Sequence, residues 1–392
     1  MEIFAMNHEI LKEKKAVLTA KEIKQQPKVW RKTLDILTEQ KEELEQFIQK
    51  IVNQREYQII FTGAGTSEFI GNALVHSLKG KYDGHIFSYA STEIVSAPES
   101  YLPKTKPVLL VSFARSGDSP ESLGSVSYAD EICENIHHLF ITCNKQGKLA
   151  KYGKDKGNIF TLLLPDETLD KGFAMTSSFS CMYLSAYVSL NLENFAETKD
   201  QVEKIIPSVT NLIEEDYSLA KKIIEEFQFK RIIYLGSNTL KGISQESQLK
   251  MLELTQGAVV TMYDSLLGFR HGPKSAITSE TLLIIYLSDN EFSRKYEIDF
   301  LNEVISQKNG YKLCVLYNQQ LTVDSNLVDY NYCYEIDEPL DNVYLGLCYI
   351  IFAQILALYK SMDVGIGPDD PCPSGKVNRV VKGVTIYPLN NA

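Results

Sequence analysis

The pattern that most restricts this chain's fold is an apolar run of strand length that breaks into a turn rich in glycine and hydroxyls and then into a helical pattern. YQIIFTG, at 57–63, gives way to Gly65, Thr66 and Ser67 and then to apolar positions at Ile70, Leu74 and Leu78. The same grammar recurs in HIFSYAS, in PVLLVSF with a helix from Ser119, and in HHLFITC and IFTLLL. These runs are continuously apolar, which suits strands covered on both faces of a parallel sheet. A doubly wound α/β domain is expected, closed by a helix from about 176 to 192.

After a charged helical stretch the pattern restarts at RIIYLGSNTLKG, with a strand over 231–236 and a helix through Ser247, Leu249, Met251, Leu252 and Leu254. VVTMYD, TLLIIYL, YKLCVLY and NYCYEI supply further strand-like runs, and a helix near 343–360 precedes a tail rich in glycine and proline. YQIIFTGAGTSEFIGNAL and RIIYLGSNTLKGISQESQL read as a weak internal duplication. The 392 residues exceed the ~250 to 300 at which single cores stop growing. The expected layout is an N-terminal helical segment at 1–50, a first domain at 51–196, a helical linker at 197–228, a second domain at 229–364 and a tail at 365–392. In the N-terminal segment Trp30, Leu34, Ile36, Leu37, Leu44, Phe47 and Ile51 recur at helical spacing.

Composition removes several function classes. A net charge of −10 gives no whole-chain attraction to nucleic acid or an anionic membrane, so neither is an expected partner and an anionic substrate must be held by local groups. The N-terminus lacks the uninterrupted apolar stretch of a secretory signal or membrane anchor, and a cytoplasmic location is expected. Seven cysteines, odd in number and scattered through apolar runs, read as reduced buried thiols. There is no CxxC and no His/Cys cluster with zinc spacing, so no metal site is expected.

Two turns carry the chemistry. Gly63-Ala64-Gly65-Thr66-Ser67 joins a buried strand to a helix, where backbone N–H groups, the helix dipole and two hydroxyls favour an anion. A plain glycine turn with an N-cap is the alternative. The turn is not a dinucleotide fingerprint, because Glu68 takes the third glycine position, and no nucleotide-binding phosphate loop occurs elsewhere. The second turn, Ser112-Phe113-Ala114-Arg115-Ser116-Gly117-Asp118-Ser119-Pro120-Glu121-Ser122, gathers hydroxyls, a glycine and an arginine. Capping explains Ser119 before Pro120, but not the cluster that precedes it.

GAGTSE, SFARSGDSPES, LGSNTLKGISQESQLKMLEL and FRHGPKS, in that order, resemble the two sugar isomerase (SIS) domains of the glucosamine-6-phosphate synthase superfamily over roughly 50–390. YDSLLGFRHGPKSA is most similar to the galactosamine-6-phosphate deaminase/isomerase branch, also called tagatose-6-phosphate ketose/aldose isomerase. The resemblance implies two parallel sheets flanked by helices, a tail that contributes to the active site, no cofactor, a hexose or hexosamine 6-phosphate substrate, and a homodimer or higher homo-oligomer. The synthases begin with a glutaminase domain whose nucleophilic cysteine follows the initiator methionine. Here Glu2 takes that place and the preceding segment is too short, so glutamine-fed amination is not expected.

The resemblance assigns roles residue by residue. Glu253 matches the glutamate that moves a proton between C1 and C2, His271 the histidine that opens the sugar ring and commonly reaches across from a neighbouring subunit, and Lys382 the lysine that meets the open-chain sugar. These types suit the tasks: a carboxylate abstracts a proton alpha to a carbonyl or iminium, an imidazole shuttles protons near neutrality, and an amine forms a Schiff base or polarises an oxygen. Gly65, Thr66, Ser67, Ser116, Gly117 and Ser119 would seat the phosphate. Three readings stay open: a deaminating isomerase acting on galactosamine 6-phosphate, a plain ketose/aldose phosphate isomerase, and a sugar-phosphate-binding regulator. The sequence departs from the synthases at Ala114, where they have serine, and at Gly268, where they have glutamate. Arg115 is expected to compensate as a phosphate or hydroxyl ligand, in which case Arg115→Ala raises the Michaelis constant; an unchanged constant in steady-state kinetics rejects that role.

Overall fold

The computed structural model describes all residues except Met1, Thr322, Ser325, 376–378, Val380, Lys382 and 390–392. Its contacts divide the chain into two compact units that alternate along the sequence. One, the first-sheet unit, comprises Lys28–Asp170, Met175–Ala196 and Ser374–Ala392; the other, the second-sheet unit, comprises Met1–Pro27, Lys171–Ala174 and Glu197–Pro373. Three helices open the chain: α1 (His8–Glu13), α2 (Val17–Lys24) and α3 (Gln26–Val52), with the division falling in the first turn of α3.

The first-sheet unit is built on five strands, β1 (Gln58–Gly63), β2 (Ile86–Ala90), β3 (Val108–Ala114), β4 (Ile136–Thr142) and β5 (Ile159–Leu163). All pair in parallel in the order β2-β1-β3-β4-β5. Its helices are α4 (Thr66–Leu78), α5 (Ser91–Ser96), α6 (Pro98–Tyr101), α7 (Pro120–Ile132), α8 (Lys148–Tyr152) and α9 (Ser177–Ser189). Every residue of β3 is buried, as the unbroken apolar run requires. The α3 helix buries Trp30, Leu34, Leu37, Leu44, Phe47, Ile48 and Ile51, and the Trp30 indole N–H donates to Ser180 Oγ in α9 at 2.8 Å. That bond satisfies the one polar atom of a fully buried aromatic side chain.

Two helices, α10 (Phe195–Asn211) and α11 (Ser218–Glu226), lead to the second sheet. Its strands are β6 (Arg231–Leu235), β7 (Val260–Asp264), β8 (Thr281–Tyr286), β9 (Lys312–Asn318) and β10 (Tyr330–Tyr334), again all parallel, in the order β10-β9-β8-β6-β7. Read from the other edge, this is the strand order of the first sheet, so the faint sequence duplication is a duplication of topology. The remaining helices are α12 (Thr239–Leu254), α13 (Leu266–Phe269), α14 (Glu291–Ser306) and α15 (Asn342–Asp363). The expected fold class of two doubly wound parallel sheets flanked by helices, with N-terminal helices and a tail, is therefore the observed one.

By length and composition α15 could cross a bilayer, but its apolar window is 94% buried and it packs on α2, α11 and α12 as a core helix. At α2, where Ala16 offers no capping side chain, Asp369 accepts from the Leu18 and Thr19 amides and the Thr19 hydroxyl, a cap supplied from 350 residues away. Cys133, Cys143, Cys181, Cys314 and Cys348 are buried, and burial raises the pKa of each thiol, which makes them inert at neutral pH.

The helix α4 approaches its sheet closely at Gly71, where an added Cβ would stand 2.7 Å from Phe61 Cβ and collide with Ser88 Oγ. Gly71→Ala is therefore expected to destabilise the protein by about 1–3 kcal/mol despite alanine's better helix propensity. A chemical denaturation midpoint at or above that of the wild type would contradict this packing.

Candidate active site

In an open parallel sheet the crevice forms beyond the carboxyl ends of the strands, where the strand order reverses. In the first sheet that point lies between β1 and β3, and both hydroxyl-rich turns leave from it. After β1 the chain turns at Gly65, with φ +56° and ψ −127°, and Thr66 begins α4. Gly63 is equally constrained, because a Cβ there would lie 2.6 Å from Ser67. Thr66 and Ser67 are buried at the start of α4, and the Ser67 hydroxyl has the Met175 sulfur 3.9 Å away.

The turn after β3 is braced from the β4–α8 connection. Thr142 Oγ1 donates to the Ala114 carbonyl at 2.8 Å, Asn144 Nδ2 to the Ser116 carbonyl at 2.9 Å, and the Leu149 amide to the Gly117 carbonyl at 2.9 Å. Asp118 caps α8 by accepting from the Lys148 amide at 3.0 Å. Gly117 has φ +68°, and Ser116 Oγ accepts from the Asp118 amide at 3.3 Å. Ser119 stands at the cap position of α7 with Pro120 behind it, but its side chain caps no amide: its hydroxyl lies 2.6 Å from that of Ser122. Position in the helix thus followed the sequence reading, whereas capping does not account for the Ser119 hydroxyl. Arg115 is buried, and its Nη2 donates to the Arg379 carbonyl at 3.0 Å.

The structure therefore brings Gly65, Thr66, Ser67, Arg115, Ser116, Gly117 and Ser119 to the same end of one sheet. Among the described residues, the hydroxyls of Thr62, Ser91 and Ser112 there are buried without a hydrogen-bond partner. Thr62 faces Ser112 in register, and Ser91 follows Ala90, the partner of Gly63. A rim of this composition offers donors and little charge, a surface suited to a phosphorylated polyol.

The second sheet repeats the turn with different contents. Asn238 has φ +53° and ψ −121°, nearly the conformation of Gly65, and a Cβ on Gly236 would lie 2.5 Å from the Leu240 carbonyl. Here the Glu297 carboxylate, from α14, accepts from the Ser288 amide at 2.8 Å and from the Ser237 side chain. Desolvation raises its pKa in spite of those bonds. An internal carboxylate already engages this turn.

Glu253 and His271 both belong to the second-sheet unit, on separate elements. Glu253 lies in the last turn of α12, its side chain 26% exposed, and accepts from Lys250 Nζ at 2.8 Å. Lys250 is fully buried and also pairs with the fully buried Glu246 at 3.2 Å. Burial opposes the Lys250 charge, but Glu246 and Glu253 outweigh it and the ammonium pKa is raised. The sequence reading missed Lys250, although carboxylates four residues before and three after it are the spacing of a helical ion triad.

His271 is exposed in the loop after α13, beside Gly272 with φ +118°. That loop is bolted to α14 through Glu303, which pairs with Arg270 Nε at 2.7 Å and with Lys274. The Lys274 hydrogen bond, followed by the Arg270 charge, holds the Glu303 carboxyl below its ordinary pKa against partial desolvation. No local spacing links Glu303 to Arg270, so nothing in the sequence revealed it. Lys382, the third expected catalytic residue, lies outside the described residues.

Comparison with known proteins places these features in context. The SIS domain model matches residues 50–192. The D-galactosamine-6-phosphate deaminase AgaS of Shewanella sp. (strain ANA-3) is 39% identical over 377 residues, covering 95% of this chain and 92% of that protein. A solved structure from Clostridium novyi NT that carries the name tagatose-6-phosphate ketose/aldose isomerase superposes with a TM-score of 0.95 at 44% identity, covering 99% of both chains. The tagatose-6-phosphate ketose/aldose isomerase of Escherichia coli gives 0.86 at 34% identity, covering 95% of this chain and 97% of that one.

The Lys250 triad has a measurable cost of disruption. Lys250→Met leaves Glu246 buried without its cation and is expected to destabilise the protein by about 3–5 kcal/mol, with part of the loss recovered by adding Glu246→Gln. Because the lysine pKa is raised on folding, its contribution is present below the ordinary value of 10.5 and is lost as pH rises through the folded value. Urea midpoints of the single and double variants test the pairing; equal midpoints for Lys250→Met and wild type would reject it.

Proposed function

The chain belongs to the AgaS family of galactosamine-6-phosphate deaminases, which are SIS-domain proteins, and from that premise we propose that it converts galactosamine 6-phosphate and water to tagatose 6-phosphate and ammonia. The observation that carries the reading is Glu253, a partly exposed carboxylate fastened to a buried ammonium. The Lys250 ammonium holds the Glu253 carboxylate in place, as a general base requires. A phosphorylated substrate and buried, inert thiols suit a cytoplasmic enzyme.

The phosphate sits on the turns formed by Gly65, Thr66, Ser67, Ser116, Gly117 and Ser119, where neutral donors receive its charge, with the Arg115 guanidinium adding a positive charge beside them. His271 passes a proton between ring and hemiacetal oxygens and so opens the sugar. Glu253 removes the C2 proton from the open-chain aldehyde and returns it at C1, while a proton passes from the C2 amine to O1, leaving an imine at C2 and a hydroxyl at C1. Water adds to that imine and ammonia departs, with Lys382 meeting the open-chain sugar during the exchange. His271 is exposed on its own unit, consistent with service to a second copy and therefore with at least a homodimer.

The isomerase names of the two structural relatives favour one further reading, the interconversion of tagatose 6-phosphate with its aldose by the same proton transfer. Ammonia release separates the two. The purified protein is expected to liberate ammonia from galactosamine 6-phosphate in a coupled assay, and Glu253→Gln is expected to retain substrate binding while turnover falls by about 10²- to 10⁴-fold. Isomerisation without ammonia would select the second reading, and a Glu253→Gln variant of undiminished turnover would remove Glu253 from the mechanism.

A further inference from the structure

The C-terminal segment from Ser374 onward is part of the first-sheet unit and is fastened to it at two places. At the first, Arg115 Nη2 donates to the Arg379 carbonyl at 3.0 Å, and Arg379 Nη1 donates in turn to the Asp170 carbonyl. Asp170 is itself immobilised: its buried carboxylate accepts from the Thr176 amide at 2.8 Å, the Ser178 amide at 2.9 Å and the hydroxyls of Ser177 and Ser178, each at 2.5 Å. Arg115 is the residue immediately before Ser116, so this fastening joins the tail directly to the turn after β3.

At the second place the Tyr128 hydroxyl donates to the Tyr387 carbonyl, while Ile386 and Leu389 pack against the core cluster formed by β1, β3, α5 and α7. Gly124 makes the seat. A Cβ there would stand 3.0 Å from Ile386 Cδ1, 3.2 Å from Ile386 Cγ2 and 3.1 Å from Val95 Cγ2. Glycine inside a helix is unfavourable by roughly 1 kcal/mol relative to alanine. At position 124 that cost is offset by the contact with the tail.

The geometry points to a positioning role for Arg115 and Gly124: they fasten the tail, at Arg379 and at Ile386–Tyr387, to the unit that carries the phosphate turns, and so hold the tail in register for the catalytic step. This rests on the deaminase reading for the identity of the step that is aided. Tail position then governs the catalytic step, while the Ser/Thr turns govern phosphate affinity. Loss of the Arg115 fastening accordingly lowers kcat, an effect separate from the rise in KM expected when its charge beside the phosphate is removed.

The test uses Gly124→Val in the full chain, which crowds Ile386 and Val95, changes no residue of either turn and does not lower helix propensity. Two readouts are needed. Without substrate, brief trypsin treatment and mass spectrometry follow cleavage after Arg379 and Lys382. With galactosamine 6-phosphate, ammonia release gives kcat and KM. Gly124→Val is expected to speed tail cleavage about tenfold and to lower kcat by about tenfold or more, with KM and competitive inhibition by inorganic phosphate unchanged; the crowding of Val95 is shared with the double variant below and cancels in that comparison. Gly124→Val combined with Ile386→Ala is expected to restore both values. Wild-type cleavage and kcat in Gly124→Val, or a loss that Ile386→Ala does not relieve, overturns the proposal. Absence of ammonia release from the wild type would instead overturn the deaminase reading, while the cleavage and rescue data would still judge the two fastenings.

Discussion

Each sheet is organised by the same geometric demand: a chain leaving the first strand must reverse into a helix so abruptly that its backbone passes over the residue that ends the strand. Gly63 and Gly236 meet that demand by lacking a Cβ, which would fall 2.6 Å from Ser67 and 2.5 Å from the Leu240 carbonyl. Two residues later Gly65 and Asn238 adopt nearly the same positive-φ conformation. The turn aims the first amides of α4 and α12 at the crevice beside the strand, and this creates an anion seat whatever else the chain does. Non-glycine residues rarely tolerate such a conformation, so Asn238 holds a strained turn, next to the Ser237 side chain that Glu297 meets.

The duplicated turns have diverged in charge while their backbones have not. The turn after β6 is engaged by a carboxylate of the same chain, whereas the first sheet surrounds its two turns with hydroxyls, an arginine and the bracing amides of the β4–α8 connection. In a chain of net charge −10 the field that would favour an anion at the first sheet is therefore a local one. Two candidate elements of the second-sheet unit are held in place by ion pairs. Glu253 is held by Lys250, and the His271 loop is held through Glu303. Buried or partly buried pairs of this kind contribute little net stability but lose a great deal when one member is removed. Their value here is placement.

The tail follows the same logic at longer range. Its two fastenings involve partners separated by 264 residues in one case and 259 in the other, and both rest on main-chain carbonyls of the tail. The carbonyl contacts are joined by the Arg379 and Ile386 side chains, and the seat at Gly124 does not tolerate a larger residue. Arg115 thereby joins the hydroxyl-rich turn after β3 to the C-terminal segment, two features that lie far apart in the sequence.

The sequence alone determined the layered architecture, because strands covered on both faces must be apolar throughout, and the inner strands β1, β3, β4, β6, β8 and β9 carry that signature without reference to their neighbours. It also picked out both turns of the first sheet and marked Glu253 and His271 as candidates, since glycine, hydroxyl and Gly-Pro patterns are local. Only the tertiary structure decided which charges are buried, that Glu303 braces the His271 loop, that Glu297 reaches the second turn, that Ser119 does not cap α7, and that Arg115 reaches the tail. Those outcomes depend on contacts between residues far apart in the chain, and local spacing carries no information about them.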